Sequence, residues 1–350
     1  MKMEIEKVAQ SKLDGLNLTN LDFGTLFTDH MVISEFKDGK WSSHSIKPYA
    51  PFTLEPSASV FHYGQALFEG MKAYKGKDGR AYLFRPTENI KRFNRSCERM
   101  CIPQIDEEAF LESLTELISL EKAWIPTDEG SSLYIRPYVF ATEAAIKANP
   151  AKEYRFVIIC SPVSAYFSSA IAVKIEERFS RAAPGGFGYA KAGGNYAGQF
   201  YPTELAKAEG YQQVVWTDAN THSYIEEAGT MNIFVRLGDQ LCTSPTSDTI
   251  LDGITRKSML TLCKDLDIKV EERPVSVAEL INGFETGELK ELFGVGTAAV
   301  VSEINNFGYQ GIQYSIDDVE NPYGPKLKKA LTDIQLGRAE DPHGWRYEVI

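Results

Sequence analysis

Beyond residue 171 the chain returns again and again to strand-like runs. AVKIEERF from Ala172, QQVVWTD from Gln212, TMNIFVRL from Thr230 and ELFGVGTAAVV from Glu291 are short, rich in β-branched and aromatic residues, and bounded by turn formers. Only three helical patterns interrupt them: one near Pro202–Glu209 ended by Gly210, ITRKSMLTLCKDL from Ile254, and KLKKALTDIQ from Lys326. Strands that outnumber helices without alternating with them fit an α+β fold better than a doubly wound parallel sheet. In AVKIEERF, Val173 and Ile175 fall on one face. In ITRKSMLTLCKDL the inward residues are predicted to be Met259, Leu260, Cys263 and Leu266.

The first half is α+β as well. DEEAFLESLTELISLEKAW, residues 106–124, predicts an amphipathic helix with Phe110, Leu114, Leu117 and Ile118 on one face and Asp106 as its cap. Strands are expected at SLYIRPYVF from Ser132 and at YRFVIIC from Tyr154. The small, polar, Pro162-containing run SPVSAYFSSA marks a connector. The expected organisation is a smaller domain over 1–160, a linker over 161–171 and a larger domain over 172–350.

Composition narrows the function classes. The net charge of −11 argues against nucleic acid as a partner, because phosphate binding needs a basic face. No apolar run reaches a membrane span, and the mixed-charge start MKMEIEKVAQSKLDG is not a secretory leader. Five scattered cysteines read as reduced thiols of a cytoplasmic chain. Cys97 and Cys101, four apart on a predicted helix, are better read as packed thiols than as a redox pair. The five histidines never fall at metal-ligand spacing, so no metal site is expected.

Chemistry gathers around GYAKAGGNYAG, Gly188–Gly198, which sets Lys191 among alanines and glycines. A lysine withdrawn from water loses its proton more easily, and a neutral amine attacks carbonyls. A lysine in a mobile surface loop is the competing reading, and from this segment alone the commoner one. Three other segments bear on the choice. ILDGITRKS places Gly253, Ile254 and Thr255 where a helix start presents free N–H groups to an anion; an ordinary capped junction is the alternative. FGVGTAAVV breaks a strand pattern at Thr297 and Ala298, as a close backbone approach to phosphate or carboxylate requires; a β-bulge is the alternative. YIEEAGTMNIFV puts the Glu227 carboxylate just before a buried strand, where it needs a cationic or proton-sharing partner; an exposed turn glutamate is the alternative. An imine-forming lysine, anion cradles and a half-buried acid are what pyridoxal phosphate requires.

In that order and spacing, GYAKAGGNY, EEAGTMNIFV, ILDGITR and GVGTAAV resemble the fold type IV pyridoxal phosphate enzymes. With HYGQALFEGMKAYKG, LFRPTENIKRFNRSCERMCIP and SLYIRP the chain is similar to the branched-chain amino acid aminotransferases, from about Thr25 to the terminal HGWRYEVI. The resemblance implies a small N-terminal domain and a larger pseudo-barrel C-terminal domain. It implies that Lys191 carries pyridoxal 5'-phosphate as a Schiff base and shuttles the proton between substrate Cα and cofactor. It also implies that Glu227 pairs with the ring nitrogen and Tyr196 with the ring's 3′-oxygen. Arg85, Gly253, Ile254, Thr255 and Thr297 would surround the phosphate, with Leu251 on the ring and Thr230 near it. Tyr63, Phe68, Tyr134 and Tyr166 match an aromatic side-chain pocket, although plain core packing competes for Tyr63 and Tyr166. Tyr134 and Arg136 are candidates for the glutamate side chain, and the Thr297–Ala298 backbone for the α-carboxylate. Implied partners are leucine, isoleucine, valine, glutamate and their 2-oxo acids, and a second copy in a homodimer.

Two departures stand out. Ala299 and Ser302 occupy the positions of a CxxC pair found in mammalian-type relatives, so no such thiol switch is expected. Asp252 replaces a proline common before the glycine, changing loop stiffness or charge near the phosphate. A D-amino acid transaminase or aminodeoxychorismate lyase is the rival on the same fold, and a non-catalytic cofactor binder the rival of another class. The EGMKAYKG, SLYIRP and RSCERMCIP segments favour the branched-chain reading, and a retained Lys191 argues against a non-catalytic role.

Overall fold

The structure, a computed structural model, describes residues 3–164 and 169–349. The chain forms two compact units. The first comprises 1–166, 190–194 and 333–350, and the second 167–189 and 195–332. The single boundary near 161–171 expected from sequence is therefore incomplete, because two later segments return to the first unit. One returns through the strand Arg346–Val349, which pairs antiparallel with Ala81–Phe84 and adds Val349 to that unit's core. The other carries Lys191.

The first unit is a ten-stranded sheet, antiparallel but for the edge pair Glu4–Ile5 and Ser45–Pro48. Its longest pairing joins Ser132–Ala141 to Tyr154–Val163 over ten residue pairs. The connector does not start at Ser161, since the second of these strands runs through Val163. Pro162 is tolerated because pairing with His30–Lys37 has ended at Ile158, which leaves the strand one neighbour there and room for a residue without an N–H. Two helices, Pro86–Arg99 and Glu107–Leu120, share the core with the sheet. In the second helix Phe110, Leu114, Leu117 and Ile118 are wholly buried, as the apolar period predicts, and Asp106 accepts the Ala109 N–H at 2.9 Å. The helix stops at Leu120 and a short 3₁₀ turn, Lys122–Trp124, completes the predicted stretch. Cys97 is buried within the helix Pro86–Arg99, whereas exposed Cys101 lies past its end in a left-handed conformation, so the two do not face each other one turn apart.

The second unit closes a sheet on itself. Strands Met231–Leu237, Leu289–Gly296, Val300–Tyr309, Ile171–Ile175, Gln213–Thr217 and Tyr224–Ala228 pair successively, and the last pairs back to the first. This six-stranded ring is the pseudo-barrel that the resemblance implied. Alternation fills it: Ile171, Val173 and Ile175 are buried while Ala172 and Lys174 between them are partly exposed. The helix Ile254–Asp265 buries Ser258, Met259, Leu262 and Cys263, whereas Leu260 and Leu266 are half-buried. The predicted face was therefore rotated, and the hydroxyl of Ser258, bonded to the Ile254 carbonyl at 2.9 Å, joins the inner side at no polar cost.

Replacing the cap, Asp106→Ala, is expected to cost about 1 kcal/mol of stability and Asp106→Asn only a few tenths. The urea midpoints of the two variants against the parent chain measure it.

Candidate active site

The lysine is built into the first unit by its backbone. The Phe68 N–H donates to the Lys191 carbonyl at 3.0 Å, and the Lys191 N–H donates to Ser96 Oγ at 3.0 Å. Ala192 forms a bridge with Leu67, and Ala190 and Ala192 are wholly buried. The mobile-loop reading is thereby excluded. The half-buried Lys191 side chain sets Nζ 4.8 Å from the centre of the Phe68 ring. Burial, then the nearby Arg92 guanidinium, disfavours its charged form against the opposing pull of Glu69, and brings its pKa down to about 8. The amine is thus half neutral at a mildly alkaline pH.

The same unit holds a cavity of about 290 Å³, lined by Phe23, Gly24, Phe27, Tyr134, Arg136, Ile159, Cys160 and Ser161. Arg136 stands over the Phe68 ring at 4.4 Å and donates to the Tyr134 hydroxyl at 3.0 Å. Among the described residues, its Nε and the Ser161 hydroxyl are buried without a hydrogen-bond partner. Phe23, edge-on to Tyr134 at 4.7 Å, and Phe27 were not found from sequence; they lie far upstream, in a segment without strand or helix periodicity. Tyr63, in contrast, is exposed and donates to the Ile146 carbonyl at 2.7 Å, so the structure does not bring it to this cavity. Tyr166 lies outside the described residues. Arg85 caps the helix Pro86–Arg99 from a left-handed conformation, with its guanidinium 5.2 Å from the Trp345 ring.

The second unit gathers the acid and an anion-facing helix end. Glu227 sits on the barrel strand that turns through Gly229 and Thr230 into Met231–Leu237. It is buried beside Arg181, with 2.9 Å between Oε2 and Nε, so the exposed-turn reading is excluded. Its other oxygen accepts the Leu251 N–H at 2.5 Å and the Asn232 amide at 3.4 Å. Asn232 also donates to the Leu251 carbonyl at 2.9 Å, which fixes the loop before the helix Ile254–Asp265. Gly253 is needed there for space and not for a turn: its φ is −69°, but a Cβ would lie 1.9 Å from the Asn232 side-chain oxygen. Among the described residues no side chain caps this helix and no acid lies in its first turn, so its first N–H groups, with buried Ile254 and Thr255, present positive charge. Asp252 is ion-paired to Lys257 at 2.8 Å, so the departure from proline is charge-balanced locally.

Thr297 and Ala298 are neither a break within one strand nor a bulge. Gly296 pairs with Val300, so residues 297–299 form a three-residue hairpin loop. Val300 closes it at φ 61°, a costly conformation for a β-branched residue. Thr230 is exposed at its turn, Tyr196 is half-buried in the short helix Gly193–Ala197, and Leu251 is buried. Arg181 and Asn232 were missed from sequence. The detectable signal for the second was a lone amide within the apolar run TMNIFV.

Residues 66–307 match the family described as amino-transferase class IV. The chain is 44% identical, over 95% of each chain, to branched-chain-amino-acid transaminase 1 of Bacillus subtilis (strain 168). It superposes on the branched-chain amino acid aminotransferase of Escherichia coli with a TM-score of 0.77 at 26% identity, covering 92% of this chain and 99% of that one. It shares the fold of the branched-chain aminotransferase of Thermobaculum terrenum in PLP-form, with a TM-score of 0.74, 19% identity and coverage of 92% and 98%.

Acylation of Lys191 by a small amine-directed reagent should rise with pH through a midpoint near 8, well below that of exposed lysines. Peptide mass spectrometry across a pH series measures it; a midpoint above 10 would contradict the sheltered amine.

Proposed function

This chain belongs to the class IV aminotransferase family, and we propose that it transfers the amino group between leucine, isoleucine or valine and 2-oxoglutarate, with pyridoxal 5'-phosphate as cofactor. The observation that carries the reading is the company kept by Lys191. Tyr134 and Arg136 both act on its charge and both line the 290 Å³ cavity. A reactive amine therefore neighbours a space whose walls suit a branched aliphatic chain and whose guanidinium suits a carboxylate.

The residues present fit the cofactor. Lys191 offers a neutral amine to an aldehyde, and the uncapped helix start at Ile254 and Thr255 offers N–H groups to a phosphate. We assign Arg85, Gly253, Ile254, Thr255 and Thr297 to the phosphate, Glu227 to the ring nitrogen, Tyr196 to the 3′-oxygen, and Leu251 and Thr230 to the ring's surroundings. When bound, the cofactor supplies an aldehyde and an electron-accepting ring. Lys191 Nζ would then carry the proton between substrate Cα and the cofactor, off Cα and onto the cofactor in the first half-reaction and the reverse in the second. Phe68 and Tyr134 wall the side chain, and the hairpin backbone at Thr297–Ala298 receives the α-carboxylate.

We also read the chain as a cytoplasmic homodimer. Five free cysteines suit a reducing compartment, and exposed Phe200 and Tyr201, adjacent on one helix, suit burial against a second copy. Light scattering should give twice the 39.1 kDa chain mass; a monomer with full activity would refute the dimer.

Lys191→Ala should abolish turnover and the cofactor's visible absorbance. Arg136→Met should lower kcat/KM for 2-oxoglutarate about 10- to 100-fold, the worth of a charged hydrogen bond, while leucine changes by less than about threefold. Initial rates with L-leucine, D-alanine and aminodeoxychorismate test the assignment of substrate; activity with D-alanine alone would overturn it.

A further inference from the structure

The helix Pro86–Arg99 and the strand Ala66–Phe68 supply the two groups that hold the Lys191 backbone, and one ion pair joins those two elements. Glu69 follows Phe68 and is fully buried; Arg92 lies one turn before Ser96 and is 6% exposed. The contact is two-pronged, with Arg92 Nε 2.7 Å from one Glu69 oxygen and Nη2 2.8 Å from the other. Asn89, on the same helix, donates to Glu69 at 2.9 Å, and so does the Gly70 N–H at 3.1 Å. The Glu69 N–H donates to the Pro137 carbonyl at 2.7 Å, on the strand that bears Tyr134 and Arg136. Ser96 completes the circuit: its hydroxyl accepts the Lys191 N–H and donates to the Arg92 carbonyl at 3.0 Å.

We propose that the Glu69–Arg92 ion pair is the positioning unit of Lys191, holding its two backbone anchors in register and setting the electrostatic field at its amine. The inference deepens, and rests on, the reading of Lys191 as the reactive amine. A buried pair of this kind is poor evidence of stability, because desolvation offsets much of the attraction. Its place beside the lysine gives it another role. The groups of this unit that act on the Lys191 charge are Arg92, Glu69, Tyr134 and Arg136, and the first two oppose each other. Burial would raise the Glu69 carboxyl, but Arg92, with Lys191 and Asn89, holds it below the ordinary glutamate range, so the pair stays charged where the lysine titrates.

Opposed fields make a test that a merely structural role would not pass. Either single substitution breaks a buried pair and should lower stability. Glu69→Gln leaves the Arg92 cation uncompensated beside Lys191, so the acylation midpoint of Lys191 should fall by about one pH unit. Arg92→Gln removes the cation that opposes protonation of Lys191, so the midpoint should rise by a similar amount. Midpoints that stay put, or move in the same direction in both variants, would overturn the proposal. Should a single variant fail to fold, the uncharged double variant Glu69→Gln/Arg92→Gln decides: hydrogen exchange at the Lys191 amide should quicken at least tenfold as its anchors separate, and unchanged exchange would overturn the proposal. Both readouts use the full chain without cofactor. A protein that never colours with pyridoxal phosphate would defeat the functional reading while leaving the midpoints measurable. A coloured protein with unmoved midpoints would defeat this inference alone.

Discussion

The proposed chemistry depends on a lysine whose backbone is held on both sides of its Cα. A side chain of four methylenes has many rotamers, so fixing the backbone that carries it narrows where its amine can lie. Here the peptide groups on either side of the Cα do the tethering: the N–H on Ser96 and the carbonyl on the Phe68 N–H. The flanking alanines are small enough to be buried on both sides. The amine is shifted toward neutrality by burial first and by Arg92 next. Five residues of chain, 190–194, serve this purpose by joining the first unit while their neighbours on both sides belong to the second.

A comparable economy governs the acid. Closing the barrel requires Tyr224–Ala228 to turn tightly into Met231–Leu237, and Glu227 pairs with Asn232 across that turn. The two side chains then share one task. Glu227 holds the Leu251 N–H, Asn232 holds the Leu251 carbonyl, and Gly253 must lack a side chain because Asn232 occupies the space. The start of the helix Ile254–Asp265 is thus fixed from the barrel wall and, among the described residues, by no capping side chain, so its first N–H groups face outward with the positive end of the helix.

Periodicity made the elements legible, because burial of one face repeats at the period of the backbone. The helix starting at Glu107 and the alternation over Ile171–Ile175 were readable for that reason. The phase of the helix Ile254–Asp265 was misread because Ser258 faces inward, and a hydroxyl that bonds its own helix carbonyl leaves no apolar signature. Residues with chemistry of their own, Lys191 and Glu227 among them, were visible as anomalies of type. Their supports were not: Ser96 is 95 positions from Lys191, and Arg181 has no local pattern that names Glu227 as its partner. The terminal strand Arg346–Val349 was missed on the same ground, since its pairing partner lies at Ala81–Phe84.

Under the proposed function the cavity would serve two substrates of opposite polarity, an energetic conflict that the surroundings of Arg136 would ease. A guanidinium buried without a counter-charge is costly, so an aliphatic side chain entering beside it would normally be rejected. Arg136 already has neutral company: the faces of Phe68 at 4.4 Å and Tyr134 at 5.3 Å, and the Tyr134 hydroxyl. Those contacts cover the cation when the occupant is apolar, while Nε stays unengaged within the described residues. A carboxylate then gains a donor that an aliphatic chain never has to strip of a partner. Gly70 makes this possible at the level of sequence, since a Cβ there would lie 2.2 Å from the Tyr134 hydroxyl and drive it out of reach.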